Sequence, residues 1–214
     1  ISLLTYNTSY NFNKFYFEKL EDFIVSNDID ILVFQEVSPE FQSNLKRLKN
    51  YNFSHNLNEN LNFWDTLIMT RFPINTSKKV NIFTEIQINK ENTKIHIIGT
   101  HIYPPINQSL YLASTKQLEE LENMITIDKS NLIVAGDLNN SSVSRRFKKL
   151  LEKTNLYSGI SLENITKTWP SFLPNILGIQ IDHVIFSKNF KLKNKNTLDF
   201  LKSDHKPLFV EIVY

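Results

Sequence analysis

Cysteine is absent from this 214-residue chain, which excludes a disulfide framework and any zinc site built on thiolates. The same absence leaves the redox compartment open. Glycine is scarce while asparagine and lysine are plentiful, a bias that reflects genome composition more than function. No run of about 18 apolar residues exists, so no membrane-spanning helix is expected, and no signal peptide is visible. A net charge of +2 is too small to predict a nucleic-acid or membrane partner from charge. Ile1 already lies inside an apparent strand, so an upstream segment is expected to be missing, where a targeting signal or membrane tether would sit. The compartment is unknown from these letters.

What is present describes a globular domain, with 41% hydrophobic and 21% charged residues. One domain over 1–214 is expected, with no internal repeat and no linker. "ISLLTYN" reads as a strand, and about 15–26 as a helix with Phe17, Leu20, Phe23 and Ile24 on one face. "DILVFQEV" suits a strand buried on both faces. Ser38 reads as an N-cap and Pro39 as a first-turn residue for a helix over "EFQSNLKRLKN". "WDTLIMTRF", "VNIFTEIQI" and "KIHIIGTHI" are strand-like, with a hairpin connection at "NKENT". A helix is expected over 110–125, a strand in "NLIVAGDLNN", and a short helix in "SRRFKKLLEK" capped by Ser144. "IQIDHVIFS", "FKLKN" and "KPLFVEIVY" finish as strands. Asn-rich "NLNENLN" reads as a surface loop. Hairpins mixed with helices argue for two packed mixed sheets with helices outside, and against a barrel of repeated units.

Polar groups recur where apolar strands end or begin. Asn7 ends the first strand, Glu36 ends "ILVFQE", and His101 follows "IHIIGT". Asp137 and Asn139 follow "LIVAG", Asp182 and His183 sit in "IQIDHVIF", and Asp204 and His205 precede the last strand. Each has a bland reading: a turn residue for Asn7, a helix cap for Glu36, a structural histidine for His101, a plain turn for "GDLNN". Yet charged residues are almost never buried unless paired. Strands in neighbouring sheets would bring these groups to one cleft.

"TYNTSY", "FQEV", "GTHIYPP", "VAGDLNN", "IDHVIFS" and "SDHKPLFVEI" occur in an order that resembles the endonuclease/exonuclease/phosphatase superfamily. "GDLNN" and the terminal "SDH" carry it most specifically. "TWPSFLPNILGIQIDHVIFS" further resembles a bacterial branch of uncharacterised family proteins. The resemblance implies a DNase I-like α/β (α+β) fold, a four-layer sandwich of two packed mixed β-sheets flanked by helices. It implies a metal-dependent hydrolase of phosphate esters, a phosphodiesterase, nuclease or phosphatase. The substrate would be a nucleic acid, a phospholipid headgroup or an inositol phosphate. The chain would act as a monomer without a protein partner. The cofactor would be Mg2+, with Mn2+ as a substitute, since a cation offsets transition-state charge and magnesium favours hard oxygen ligands. Glu36 would be the main ligand, with Asn7 and Asp204 beside the ion. Asp137 would orient or deprotonate the attacking water, and Asn139 would hold that water. His205, paired with Asp182, and His101 would donate to phosphate oxygens.

Asp65 stands where relatives often carry a small residue, and an acid near the site would repel an anion or bind a second cation. Arg71 is read as structural, His183 receives no role, and "SRRFKK" is read as a solvated helix face. The apolar loop Trp169–Gly178 is expected to be buried packing, with contact to a membrane surface as the alternative. The competing functions are a catalytically inactive binding or scaffold protein that keeps the fold, and a zinc hydrolase using His96, His101, His183 and His205. Against the first stands the full set of acids and histidines, and against the second the lack of HExxH-like spacing.

Overall fold

The protein is described here from a computed structural model, covering residues 1–56, 59, 61–125, 130–159, 166–199 and 201–214, without the side chain of Asn175. Among the described residues eleven strands and four α-helices follow one another: β1 (Ser2–Asn7), α1 (Lys14–Ser26), β2 (Ile31–Gln35), α2 (Pro39–Leu45), β3 (Asn52–Phe53), β4 (Thr66–Thr70), β5 (Ile74–Val80), β6 (Phe83–Lys90), β7 (Thr93–His101), α3 (Gln108–Ile125), β8 (Leu132–Asp137), α4 (Arg145–Thr154), β9 (Asp182–Phe186), β10 (Lys191–Thr197) and β11 (Leu208–Val213). One sheet has the order β10-β11-β1-β2-β4-β3 and the other β5-β6-β7-β8-β9. Both mix parallel and antiparallel pairs, β1 with β2 and β7 with β8 being parallel.

The period-two pattern of the strands decides how the layers stack. Leu3, Val33, Ile68 and Val210 of the first sheet meet Ile97, Ile133 and Val184 of the second in a core between the sheets. The intervening residues Leu4, Leu32, Phe34 and Met69 face outward onto Phe17, Leu20, Ile24, Phe41 and Leu45 of α1 and α2. On the far side Ile98, Val134 and Ile185 pack on Leu118, Leu121, Phe147 and Leu150 of α3 and α4. Alternate side chains of one strand thus serve two layers of the four-layer sandwich. This is why β2 reads as a continuous apolar run.

Local chemistry places the helices where the sequence predicts them. Asn13, Ser38 and Ser144 cap α1, α2 and α4, each accepting from a backbone N–H of the first turn. Two expectations need correction, and two strands escape the sequence. Helix α2 stops at Leu45, where the chain passes into tight turns in which Arg47 N–H bonds the Asn44 carbonyl and Leu48 N–H the Leu45 carbonyl, each at 3.0 Å. "VNIFTEIQI" is not one strand: Val80 pairs with Phe83 across a hairpin turn at Asn81. The strand before that turn, β5, escaped the reading because residues 75–79 are all exposed, so it carries no alternation. The two-residue β3 is too short to leave a pattern. The expected Asn-rich loop over 56–62 includes 57, 58 and 60, which lie outside the described residues. Among the described residues no helix is long and apolar enough to cross a membrane.

Gly136, next to the end of β8, has φ +144, and a Cβ there would overlap the carbonyl oxygen of Thr100 on β7. Only glycine lets β7 and β8 approach closely enough to align His101 with Asp137. Gly136→Ala is therefore expected to destabilise the fold by more than about 1 kcal/mol. Urea unfolding reads this as a lower midpoint, and an unchanged midpoint would show that the backbone relaxes freely.

Candidate active site

Strand direction gathers the site. β1, β2, β7 and β8 end at one edge of the sandwich, with Asn7 opposite Gln35 and His101 opposite Asp137. β9 runs antiparallel to β8, so its first residue, Asp182, also pairs with Asp137. β11 runs antiparallel to β1, so His205, just before it, arrives beside Asn7. The sites predicted at strand ends and strand starts therefore share one edge. A cleft of about 460 Å³ opens there and is lined on its polar side by Glu36, His101, Asp137, Asn139, Asp204 and His205.

The buried carboxylate of Asp137 is the centre. Its Oδ2 lies 3.2 Å from Nδ2 of Asn7 and 3.2 Å from Nδ2 of Asn139. His205 Nε2 lies 3.7 Å and His101 Nε2 4.0 Å from the same oxygen. Oδ1 accepts the backbone N–H of Asn139 at 2.8 Å in an Asx turn, and Asn139 itself sits at φ +46, in the left-handed region that asparagine tolerates. Burial, then the charge of Asp182, lifts Asp137 to a pKa of about 6, against the pull of His205, His101 and the Asn139 N–H.

His205 is held between acids. Its Nδ1 lies 2.9 Å from Asp182 Oδ2, which leaves Nε2 to face Asp137. Burial opposes the imidazolium, but Asp182 and then Asp137 outweigh it and raise the pKa to about 10. Burial alone would raise Asp182 as well, and the charge of His205 with its hydrogen bond instead holds this carboxyl below the usual range. Asp137, Asp182 and His205 have one donor atom each within 4.8 Å of one another, the single group of this kind among the described residues.

Glu36 follows β2 with φ +51, a left-handed turn that carries its half-buried side chain off the end of the strand. Its carbonyl accepts from Thr8 Oγ1 at 2.5 Å and from the Tyr10 N–H at 2.8 Å. Its Oε1 receives Asn7 Nδ2 at 2.9 Å and lies 3.3 Å from His101 Nε2. The oxygen of Asn7 is taken by the Ser9 N–H at 2.9 Å, so this amide holds Glu36 and Asp137 with its nitrogen. Asp204 is exposed at the rim, bonded by Ser9 Oγ and, at 3.1 Å, by the indole N–H of Trp169. Glu36 and Asp204 offer hard carboxylate oxygens to the cleft, donors that suit magnesium or manganese and not a thiolate-seeking metal.

Sequence reasoning missed several participants. Ser203 Oγ donates to the Asn7 carbonyl at 2.7 Å and accepts the His205 N–H at 3.0 Å, tying β1 to the His205 segment. A Ser two residues before a buried His is a turn signal that could have pointed to it. The opposite wall of the cleft is apolar, with Phe63, Trp64, Pro104, Ile106, Trp169 and Ile179. Trp64 packs 4.7 Å from the His101 ring and 4.4 Å from Tyr103.

Other expectations resolve differently. Asp65 does not line the cleft: Lys79 Nζ lies 2.6 Å away and the Asn62 N–H 3.1 Å. It is a neutralised structural acid, neither repelling a substrate nor free for a second cation. Arg71 pairs with Asp28 and Asp30, a structural role as expected. The four histidines of the zinc reading do not converge, since His96 meets Glu85 at 3.4 Å in mid-sheet. His183 donates from Nε2 to the Asn140 carbonyl at 2.8 Å and stacks on Phe147. The loop Trp169–Gly178 is not buried packing: Phe172, Ile176 and Leu177 are exposed.

With this geometry in place, comparison with known proteins assigns the chain. The profile of the Endonuclease/Exonuclease/phosphatase family matches residues 4–205, and the chain belongs to that family. A UPF0294 protein of Vibrio campbellii (strain ATCC BAA-1116) is 35% identical over 98 residues, 45% of this chain and 32% of the relative, so the match spans about a third of that protein's length. A humanized D. rerio TDP2 superposes with a TM-score of 0.78 at 16% identity, covering 100% of this chain and 99% of the other. A Neisseria 3′ phosphatase, NExo, bound to a product DNA hairpin gives 0.76 at 14%, with 100% of both chains covered. A Bacteroides thetaiotaomicron mannosyl-6-phosphatase gives 0.73 at 16%, again with full coverage. These structures share the DNase I-like four-layer fold.

His183 makes a pH prediction. Burial lowers its pKa to about 4, below the ordinary value near 6.5. The unfolded chain therefore takes up this proton first as pH falls, and the native state loses stability between about 6.5 and 4, by up to about 3 kcal/mol. His183→Gln is expected to be less stable than wild type at pH 7, with the gap in Tm narrowing as pH falls to 4.5. A gap that stays constant would show that His183 does not titrate in this window.

Proposed function

We propose that this chain hydrolyses phosphate esters by water attack on phosphorus, with a divalent cation, magnesium first, as its cofactor. The observation that carries the reading is the buried Asp137 carboxylate with a cationic His205 at 3.7 Å, opening on one cleft. Family membership and the named phosphatase activities of two similar structures support it. Glu36 and Asp204 would hold the cation, with Asn7 keeping Glu36 in place. When bound, the cation supplies positive charge against the phosphoryl oxygens.

The side chains divide the remaining work by their environments. Asp137, with a pKa of about 6, stands near neutrality as a base for the attacking water. Asn139 donates from Nδ2 to both the Ile102 carbonyl and Asp137, which fixes the carboxylate plane and keeps the base aimed. His205 directs Nε2–H into the cleft, where it stabilises charge growing on a phosphate oxygen. Asp182 fixes the tautomer that makes this possible. His101 Nε2, beside Glu36, adds a second donor. An inactive scaffold would retain the cost of burying these acids with nothing to offset it in function. Nucleic acid, phospholipid headgroup and inositol phosphate all remain substrates of the proposed class, because this machinery reads the phosphate and not the alcohol.

Hydrolysis of bis(p-nitrophenyl) phosphate in magnesium or manganese tests the reading, with loss of activity expected in EDTA. Glu36→Gln is expected to fold normally and to weaken cation binding by on the order of tenfold or more, read by calorimetric titration. Full activity in EDTA would overturn the metal-assisted mechanism, and an unchanged titration would remove Glu36 from the ligand set.

A further inference from the structure

The apolar side of the cleft does not end at its rim. It continues onto the loop from Trp169 to Ile179, where Phe172 is 72%, Leu177 64% and Ile176 88% exposed. Ile106, 78% exposed, stands on the connection after β7 and lines the same cleft as Trp169 and Ile179. Four large aliphatic or aromatic side chains at that exposure, beside one opening, mark an interaction surface rather than scattered surface apolars.

The loop is a built platform. Ser171 donates its N–H to the Asp204 carbonyl at 2.7 Å and its hydroxyl to the Ser203 carbonyl at 2.5 Å. The Lys206 N–H reaches the Thr168 carbonyl at 2.7 Å, and the Ile179 N–H the Trp169 carbonyl at 2.7 Å. The Leu177 N–H closes a turn onto Pro174 at 2.9 Å. These main-chain groups are thus turned inward, and among the described side chains of the loop the exposed ones are apolar. Charge follows the same division. No Asp or Glu occurs from Thr166 to Ile179, and Lys167 and Lys202 stand on its two sides, while the neighbouring acid Asp204 is bonded by Ser9 Oγ and the Trp169 indole.

We propose that this rim docks the protein onto a lipid bilayer whose surface carries anionic headgroups. Apolar side chains would enter the interface while the flanking lysines meet the headgroups. Aliphatic Ile and Leu at the tip suit acyl chains and not base stacking, which uses aromatic planes. Docking in this orientation turns the cleft mouth toward the headgroups, so a lipid phosphate ester comes within reach of Asp137 and His205. That consequence rests on the phosphoesterase reading, whereas the docking does not.

Sedimentation with vesicles of phosphatidylcholine and phosphatidylglycerol tests the docking without any turnover. Wild type is expected to sediment with the mixed vesicles and less with phosphatidylcholine alone. The triple variant Phe172→Asp, Ile176→Asp, Leu177→Asp should lose at least tenfold in bound fraction at an unchanged melting temperature. Its rate on soluble bis(p-nitrophenyl) phosphate should equal that of wild type, since none of the three side chains lines the cleft. Should the triple variant melt early, Ile176→Asp alone, at the most exposed position, must still lower binding severalfold. Wild type left in the supernatant overturns the proposal, whether it is monomeric or self-associates through this loop, and so does equal sedimentation of wild type and variant. Failures separate cleanly: vesicle binding without ester hydrolysis sinks the enzymatic reading, and hydrolysis without vesicle binding sinks the docking.

Discussion

A carboxylate almost wholly withdrawn from water, at the floor of the cleft, sets the terms for this structure. Asp137 sits at the end of β8, and two amide nitrogens, a backbone N–H and two imidazoles point at it, from three other segments and from the turn that follows β8. Burying an unpaired carboxylate is prohibitive, so the fold must deliver those groups or the acid cannot stay there ionised. Delivery depends on register. The parallel pairs β1–β2 and β7–β8 bring Asn7, Glu36, His101 and Asp137 to one edge, and the antiparallel β9 and β11 start where those strands end. A slip of one residue in any of these strands would turn its polar terminus into the core and its apolar residues out.

Two carboxylates of one type are driven apart by their neighbours. Asp182 is bonded directly to His205 and is held low, while Asp137 keeps a longer contact and is raised to about 6. One becomes a permanent anion that orients and charges the imidazole. The other is left near neutrality, able to take and release a proton. Separation of pKa values within a small group of acids is the usual physical basis for acid and base roles in one site. The imidazole between them pays its own burial through both charges, which is why neither acid can be understood alone.

The sequence shows much of this, and the reasons it stops are physical. Strands buried on both faces advertise themselves as apolar runs, and ionisable residues interrupting such runs at their ends stand out against them. Asn7, Glu36, His101, Asp137, Asn139, Asp182, Asp204 and His205 were all visible for that reason, and all lie at the edge the strands share. Their chemical roles are a proposal that geometry supports. What stayed hidden lacks a period. β5 is an exposed edge strand with no alternation, and Ser203 acts through a small hydroxyl whose importance comes from partners 196 and two residues away. The loop at Trp169 misled in the other direction. Apolar letters imply burial on average, but a segment whose backbone bonds inward can hold Phe172 and Ile176 in the open. Asp65 shows the same limit, since only the fold reveals that Lys79 neutralises it.

The account stands or falls on the charge of His205. A 15N NMR titration of the imidazole nitrogens in the metal-free protein measures it without knowledge of the substrate. Both nitrogens are predicted to stay protonated through neutrality and to release a proton only near pH 10, with Asp182→Asn moving that release toward the ordinary value near 6.5. An imidazole already neutral at pH 7 in the folded wild-type protein would contradict the account, because a neutral His205 could not serve as the cationic donor on which the proposed chemistry depends.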